Sequence, residues 1–264
     1  MVGQNKNKEL LMQWRMNKSV PRFIIIEGGE GSGRLTFAKA IIKMISAKGI
    51  IMGNSIAEVR ETIENAYTIT EPTCYIFRNE DDMKNEAKNA LLKVVEEPPN
   101  KAYFIMTVQN IDNMLGTIKS RGTVIRMEPY TMQELRSVSD DELKLEYCTN
   151  IGELQLAHKE VQRAEDCVDD VLKALREKSG TKLLKACTQL KAKQTETDKI
   201  DCLLFFKVFQ KRLYRLYPTL DLHINDLSYV FQCKQELNRN TTNKKSSIES
   251  MLIKMLEELK GEII

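Results

Sequence analysis

The sequence lacks the paired cysteines and the long apolar runs that several classes of protein require. Its six cysteines are scattered over 264 residues without a C-x-x-C pair, which argues against a zinc module, so we expect no zinc. The first twenty residues are polar and charged, without the apolar core of a signal peptide. The longest aliphatic runs, such as residues 23–26, are too short to span a bilayer. We therefore expect a cytoplasmic protein with reduced thiols and no membrane partner.

A strong charge of one sign is also missing. The 40 Lys and Arg residues against 37 Asp and Glu leave a formal net charge of +3. This excess is too small to indicate nucleic-acid binding, so any contact with DNA would need a local basic patch. The hydrophobic share of 42% and the charged share of 29% are typical of a folded protein. The length predicts two or more domains.

The first half of the sequence alternates between strand and helix patterns. Short apolar runs predict four strands, at residues 23–26, 74–77, 103–108 and 123–127. Apolar residues at helical spacing predict three helices, at residues 35–46, 55–66 and 85–97. Ser55 followed by Glu58 indicates a capping box at the start of the second helix. This alternation predicts an α/β fold, a parallel sheet with helices on both faces.

After Pro129 the pattern changes to helices alone. From Met132 onward there is one proline, Pro218, and the sequence is a succession of helical stretches rich in Leu, Lys and Glu. We therefore predict three domains, an α/β domain at 1–130, a small helical domain at 131–165 and a larger helical domain at 166–264.

A glycine-rich loop follows the first predicted strand. Residues 28–35 read G-G-E-G-S-G-R-L and precede a predicted helix, which is the context of a phosphate-binding P-loop, G-x-x-x-x-G-K-[ST]. Gly28 and Gly33 have the required spacing, with Gly31 between them. Arg34 stands in place of the lysine that reaches the terminal phosphates, and its planar head does not fit the same slot.

The magnesium ligand of a P-loop is missing as well. Leu35 replaces the Ser or Thr, and Thr36 comes one residue too late, which on a helix turns it by about 100°. A dinucleotide motif, G-x-G-x-x-G, also fails because its last glycine falls on Arg34 or Thr36. Taken by itself, the loop is either a vestigial P-loop or a tight strand-to-helix turn without a ligand.

Residues 89–99, N-A-L-L-K-V-V-E-E-P-P, carry the most distinctive signal. They resemble the N-A-L-L-K-x-L-E-E-P-P run of bacterial clamp-loader subunits, the gamma/tau and delta-prime proteins of the DNA polymerase III holoenzyme. Residues 117–121, T-I-K-S-R, resemble the family's T-I-x-S-R-C motif, and residues 57–63 resemble its V-R-E-x-I helix. An amphipathic helix ended by prolines would explain the periodicity of residues 89–99 but not so long a match.

The resemblance implies an AAA+ fold, with a P-loop domain at 1–130, a helical lid at 131–165 and a helical collar for oligomerisation at 166–264. It places the Walker B aspartate on Arg78 and the catalytic glutamate on Asn79. Neither side chain can hold magnesium-bound water or activate an attacking water. We therefore expect no ATP hydrolysis, little or no binding of Mg-ATP, and no cofactor.

Two further positions of the family's nucleotide site differ here. The polar residue that senses the γ-phosphate falls on Val108 or Gln109, and a second sensing arginine falls on Glu153. The four zinc-binding cysteines of many relatives are absent, because the interval from residue 46 to residue 55 is too short for them. This difference indicates a divergent or phage-encoded version.

Ser120 and Arg121 match the family, with Gly122 in place of its cysteine. In clamp loaders this arginine projects into the ATP site of the next subunit and neutralises charge that develops on the transferring phosphoryl group. Alone, Arg121 would be interpreted as a surface arginine at the end of a helix. Beside residues 89–99, it is interpreted as an arginine finger that acts in trans.

The resemblance leads to one main functional hypothesis and two alternatives. The chain is expected to be an ATPase-inactive, delta-prime-like stator subunit of a sliding-clamp loader, which supplies its finger to a neighbouring ATPase. Its partners would be the other subunits of a hetero-oligomeric ring, the sliding clamp, and primer-template DNA through the complex. The first alternative is an active, gamma/tau-like ATPase in which Arg34 replaces the lysine. The second is an AAA+-fold interaction protein outside replication.

Overall fold

The computed structural model describes residues 2–78, 83–192, 196, 198–216, 226–237 and 243–261. It divides into two compact units. The first comprises Met1–Asp140 and Thr149–Gln155, and the second comprises Asp141–Cys148 and Leu156–Ile264. The domain boundaries at residues 130 and 165 stay predictions.

A five-stranded parallel sheet forms the centre of the first unit. Its strands are β1 (Phe23–Glu27), β2 (Lys48–Met52), β3 (Thr73–Phe77), β4 (Ala102–Val108) and β5 (Thr123–Arg126). Their order across the sheet is β2-β3-β4-β1-β5. In β1, which lies between β4 and β5, Ile25 is opposite Met106 of β4 and Val124 of β5. Because all the pairs are parallel, the loops that follow β1, β3 and β4 leave the same edge of the sheet.

Helices cover both faces of this sheet, as the alternating pattern predicts. They are α1 (Asn5–Asn17), α2 (Arg34–Met44), α3 (Ile56–Thr68), α4 (Asn85–Glu96), α5 (Gly116–Lys119) and α6 (Met132–Arg136). Successive side chains of a strand point to opposite faces. Phe23 and Ile25 therefore pack in the core under α3, α4 and α5, whereas Ile24 and Ile26 pack in the core under α1 and α2.

Strand β2 and helix α1 are among the elements of the first unit that were not predicted. Strand β2 lies at the edge of the sheet, and its residues are half-buried or exposed, so it has no continuous buried run for the sequence to show. Helix α1 is polar over most of its surface, and only Asn7 and Trp14 are buried in it. Gln4, just before α1, is buried. Its side-chain amide donates to the Glu128 carbonyl at 2.7 Å and accepts from the Glu128 amide at 2.8 Å. These bonds fix the start of α1 beside the end of β5.

The predicted capping box is present at the start of α3. The Ser55 hydroxyl accepts a hydrogen bond from the Glu58 amide, and the Glu58 carboxylate accepts from the Ser55 amide at 3.2 Å. Hydrogen bonds from the Ser55 side chain, and then from its backbone, hold the pKa of Glu58 below its usual value of 4.5. This contribution to stability is therefore fully present above pH 4.5 and is lost as the pH falls through the lowered pKa.

We expect Ser55→Ala to raise the pKa of Glu58 toward its usual value, because it removes the side-chain hydrogen bond, which lowers that pKa the most. Loss of the cap should also cost about 1 kcal/mol of stability at neutral pH. NMR titration of the Glu58 carboxyl measures the first effect, and urea unfolding measures the second. An unchanged Glu58 titration in the variant would show that the capping box does not set this pKa.

Helices make up most of the second unit in its described part, as predicted for the C-terminal half. Its helices are α7 (Glu142–Tyr147), α8 (His158–Arg176), α9 (Gly180–Cys187), α10 (Cys202–Leu216), α11 (Asp226–Leu237) and α12 (Lys244–Lys260). The rings of Phe205 and Phe209 stack in its core, with centroids 6.0 Å apart. At the surface of this unit, Nη2 of Arg212 on α10 donates to both carboxylate oxygens of Asp169 on α8, at 2.7 and 2.8 Å.

In the part of the chain that the structure describes, no helix has the length and apolarity needed to cross a membrane.

All six cysteines are buried, free thiols. Burial raises the pKa of Cys74 in the sheet, and likewise that of Cys167 in the helical unit, to about 12. Both side chains are therefore protonated at neutral pH and act as small apolar groups in their cores.

Candidate functional site

The glycine-rich loop leads from the end of β1 into the start of α2. The Gly28 amide donates a hydrogen bond of 3.1 Å to the carbonyl of Val108, which ties the loop to the end of β4. Gly31 and Gly33 have φ angles of +77° and +90°. These left-handed angles favour glycine because a Cβ atom would be strained there.

Two groups from later in the chain bind the carbonyls of this loop. The Gly152 amide donates to the Gly31 carbonyl at 3.3 Å, and the Tyr130 hydroxyl donates to the Ser32 carbonyl at 3.1 Å. A Cβ on Gly152 would lie 2.5 Å from the Cα of Gly31, so the two backbones are as close as they can be. Burial, and then the charge of Glu134, raise the pKa of Tyr130, so its hydroxyl remains a donor at neutral pH.

A cavity of about 690 Å³ opens beside the loop. Its lining includes six residues of the predicted nucleotide site, which are Gly31, Gly33, Arg34, Leu35, Thr36 and Arg78. Gly28 lies at the end of β1 and is not among the lining residues, and Asn79 lies outside the described residues. Thr36 contributes to the lining although it follows the position of the magnesium ligand by one residue.

Two arginines and one glutamate, Glu30, are among the residues that line the cavity. Arg34 and Arg78 bring two guanidinium groups to it, and α2 begins at its edge. Amide groups at a helix start and guanidinium groups both attract phosphate or sulfate. Mg²⁺ requires oxygen ligands in an octahedral arrangement, and Leu35 and Arg78 provide none at the two positions that usually hold it. The two positions at which a P-loop ATPase usually holds Mg²⁺ therefore offer it no ligand, although Glu30 and Thr36 are also among the lining residues.

The residues predicted to sense the nucleotide differ in whether they line the cavity. Val108 is fully buried in the core of the sheet, whereas Gln109 lines the cavity. The Glu153 carboxylate accepts a hydrogen bond from the Thr149 amide at 2.7 Å and is not a lining residue. Gln155, two residues further on, does line the cavity.

Ser120 and Arg121 lie at the end of the short helix α5 and do not line the cavity. The Ser120 hydroxyl donates to the carbonyl of Thr117 at 3.2 Å, which closes the last turn of the helix. The Arg121 side chain is 32% exposed. Its Nη1 donates to the Thr117 carbonyl at 2.6 Å, and its Nη2 donates to the Glu96 carboxylate at 3.1 Å.

Sequence analysis missed several residues of this region. Tyr130 and Gly152 are distant from the loop in sequence, and no motif indicates their hydrogen bonds with it. Glu96 lies inside the N-A-L-L-K-V-V-E-E-P-P run, but that run does not indicate its contact with Arg121. Only the fold brings these residues, 25 positions apart, together.

The fold of this chain is shared with proteins of known structure. The structure is similar to that of a DNA polymerase III gamma subunit-related protein from Thermotoga maritima, with a TM-score of 0.56 at 15% identity, covering 94% of this chain and 99% of that one. It is also similar to the RuvB Holliday junction branch migration motor of the same organism, with a TM-score of 0.52 at 14% identity, covering 98% and 88%. At these identities the likeness shows the fold, which is that of AAA+ proteins followed by a helical C-terminal region.

Part of the sequence is also similar to that of known proteins. The model of the family described as "DNA polymerase III, delta subunit" matches residues 42–131. The DNA polymerase III subunit gamma/tau of Mycoplasma genitalium is 26% identical over 46% of this chain and 25% of its own length, and that of Mycoplasma pneumoniae is 25% identical over 46% and 22%. The matched region thus spans about a quarter of these relatives. In this part of its sequence the chain is thus similar to subunits of DNA polymerase III.

Proposed function

We propose that this chain is the delta-prime-like stator subunit of a DNA sliding-clamp loader. It does not hydrolyse ATP, and it supplies Arg121 as an arginine finger to the ATP site of a neighbouring subunit. The observation that carries the proposal is the contrast between two places in the first unit. The cavity beside the glycine-rich loop has Arg34, Leu35 and Arg78 where catalysis needs other groups, whereas Arg121 lies at the surface, outside that cavity.

The proposed inactivity rests on the chemistry of phosphoryl transfer. A P-loop ATPase uses its lysine and Mg²⁺ to stabilise charge, and an acidic pair to hold the metal and orient water. Arg34 keeps a positive charge, but Leu35 has no oxygen, and Arg78 adds a second positive charge where a carboxylate is needed. A phosphate group can be attracted to such a cavity without being cleaved in it.

The proposed action in trans rests on the position of Arg121. A finger must cross an interface, so its guanidinium has to be near the surface and within reach of another molecule. A planar guanidinium with several donors matches the oxygens of a phosphoryl group better than an ammonium does. Arg121 has such a guanidinium and its side chain is partly exposed, and related fingers raise hydrolysis rates by about 10³- to 10⁵-fold.

The partners follow from this proposal. They are the other subunits of a hetero-oligomeric ring, together with the sliding clamp and primer-template DNA that the ring brings together in the cytoplasm. The first test is co-purification of the chain with the products of neighbouring replication genes, followed by ATPase measurement of the assembly. Failure to bind any clamp-loader subunit would favour the interaction protein outside replication.

For the isolated chain we expect no ATP turnover and no strengthening of ATP binding by magnesium. The reason is that Leu35 and Arg78 give the metal no ligand, so ATP affinity should agree within about twofold in MgCl₂ and in EDTA. Calorimetry and a phosphate-release assay measure the two quantities. The combined variant Arg34→Lys, Leu35→Thr should gain magnesium-dependent binding but still no turnover, because position 78 is not acidic. ATP turnover by the unmodified chain that disappears in Arg34→Ala would establish an active ATPase instead.

A further inference from the structure

The guanidinium of Arg121 is held by acceptors from two different helices. The Thr117 carbonyl, in α5, accepts from Nη1 at 2.6 Å, and the Glu96 carboxylate, at the end of α4, accepts from Nη2 at 3.1 Å. A guanidinium has five N–H donors in one plane. The two contacts use two of these N–H donors. The other three can bind another molecule while the guanidinium stays in place.

Glu96 is poorly placed to stabilise its own helix. It is the last residue of α4, where the helix dipole disfavours a negative charge. Its side chain is 55% exposed, so it does not contribute to the core through its packing. The contact that compensates this placement is the one with Arg121, across 25 residues of sequence.

An arginine side chain that is not fixed has several rotatable bonds, and ordering them opposes any step that needs one conformer. A group held in its working geometry before the reaction avoids that cost when it is needed. The carboxylate of Glu96 restricts the Arg121 head without covering it, because about a third of the side chain remains exposed.

We propose that Glu96 is a positioning residue for Arg121. It orients the guanidinium toward the neighbouring subunit before that subunit's ATP is cleaved. This inference rests on the proposed function of Arg121. It adds that the finger needs its contact with Glu96 to work at the full rate. In this proposal Glu96 acts only through its contact with Arg121.

The test is the ATPase activity of the reconstituted clamp loader, with clamp and primed DNA, carrying variants of this chain. Glu96→Ala should lower kcat by about tenfold, a coupling of ordinary size for two residues in contact. The KM for ATP should be unchanged, because the neighbour's binding groups are untouched. Glu96→Gln, which keeps an uncharged acceptor, should recover part of the loss. Glu97→Ala, the adjacent exposed glutamate, serves as the matched control and should match wild type.

A double variant separates this inference from the function on which it rests. If Glu96 acts through Arg121, the Glu96→Ala, Arg121→Ala pair should be no slower than Arg121→Ala alone. A full effect of Arg121→Ala with wild-type activity in Glu96→Ala would overturn the positioning role and leave the finger intact. A faster Glu96→Ala enzyme would also overturn it, since it would make the carboxylate a restraint on the finger. No effect of Arg121→Ala would instead refute the proposed function itself.

Discussion

Replacing Arg121 with alanine should lower the ATPase rate of the assembled clamp loader by about 10³-fold or more. The variant chain should fold and assemble as wild type does, because the side chain is partly exposed and its guanidinium bonds are to Thr117 and Glu96, two exposed residues. Removing an exposed ion pair costs a folded protein at most about 1 kcal/mol. The loss of activity would therefore arise in the neighbouring subunit's site and not from unfolding of this chain.

The measurement is clamp- and DNA-stimulated ATP hydrolysis by the complex, with complex formation checked by gel filtration. Arg121→Lys should recover only part of the rate, since an ammonium lacks the planar set of donors that matches a phosphoryl group. Arg60→Ala, at an exposed position on α3, is the control for loss of a surface arginine. An Arg121→Ala complex that assembles normally and hydrolyses ATP at the wild-type rate would identify Arg121 as an ordinary surface residue.

The sequence predicts the central part of the sheet well because those strands are buried on both faces. Ile24 and Ile26 pack under α1 and α2, and Phe23 and Ile25 under α3 to α5, so β1 is apolar without interruption. Strand β2 escapes prediction for the opposite reason. At the edge of the sheet it needs few buried side chains, and its residues carry no continuous apolar signal.

The candidate site is predictable where it depends on local motifs and not where it depends on distant contacts. The loop from Gly28 to Gly33 and the positions of Arg34 and Arg78 follow from spacing alone. The hydrogen bond from Tyr130 to Ser32 and the ion pair of Arg121 with Glu96 join residues 98 and 25 positions apart. Such contacts are set by the packing of whole elements, which the sequence pattern does not specify.

Gly122, which follows Arg121, stands where the family has a cysteine, and the structure gives a reason for the difference. A Cβ built on Gly122 would lie 2.4 Å from Cδ1 and 2.7 Å from Cγ1 of Ile25, and 3.1 Å from Cε1 of Phe23. Both side chains belong to β1 and lie in the core, where Ile25 is fully buried. They cannot move aside freely in a closely packed interior, so position 122 has no room for a side chain.

Gly122→Cys should therefore destabilise the first unit by about 1–3 kcal/mol, the usual cost of an overpacked core. Gly122→Ala should cost nearly as much, because the collision already occurs at Cβ. Gly116→Ala is the matched control, since a Cβ there meets no atom within 4 Å. Urea unfolding followed by tryptophan fluorescence measures the effect, because Trp14 is the single tryptophan and is buried in the first unit.

The double variant Gly122→Cys, Ile25→Ala tests whether Ile25 is the cause. Shortening Ile25 alone should cost about 2–5 kcal/mol through the cavity it leaves. The cysteine fills part of that cavity, so the double variant should be more stable than the sum of the two single effects by about 0.5–3 kcal/mol. Additive effects, or a Gly122→Ala variant as stable as Gly116→Ala, would show that Ile25 does not exclude a side chain at position 122. A favourable coupling would show that Ile25 excludes a side chain at position 122.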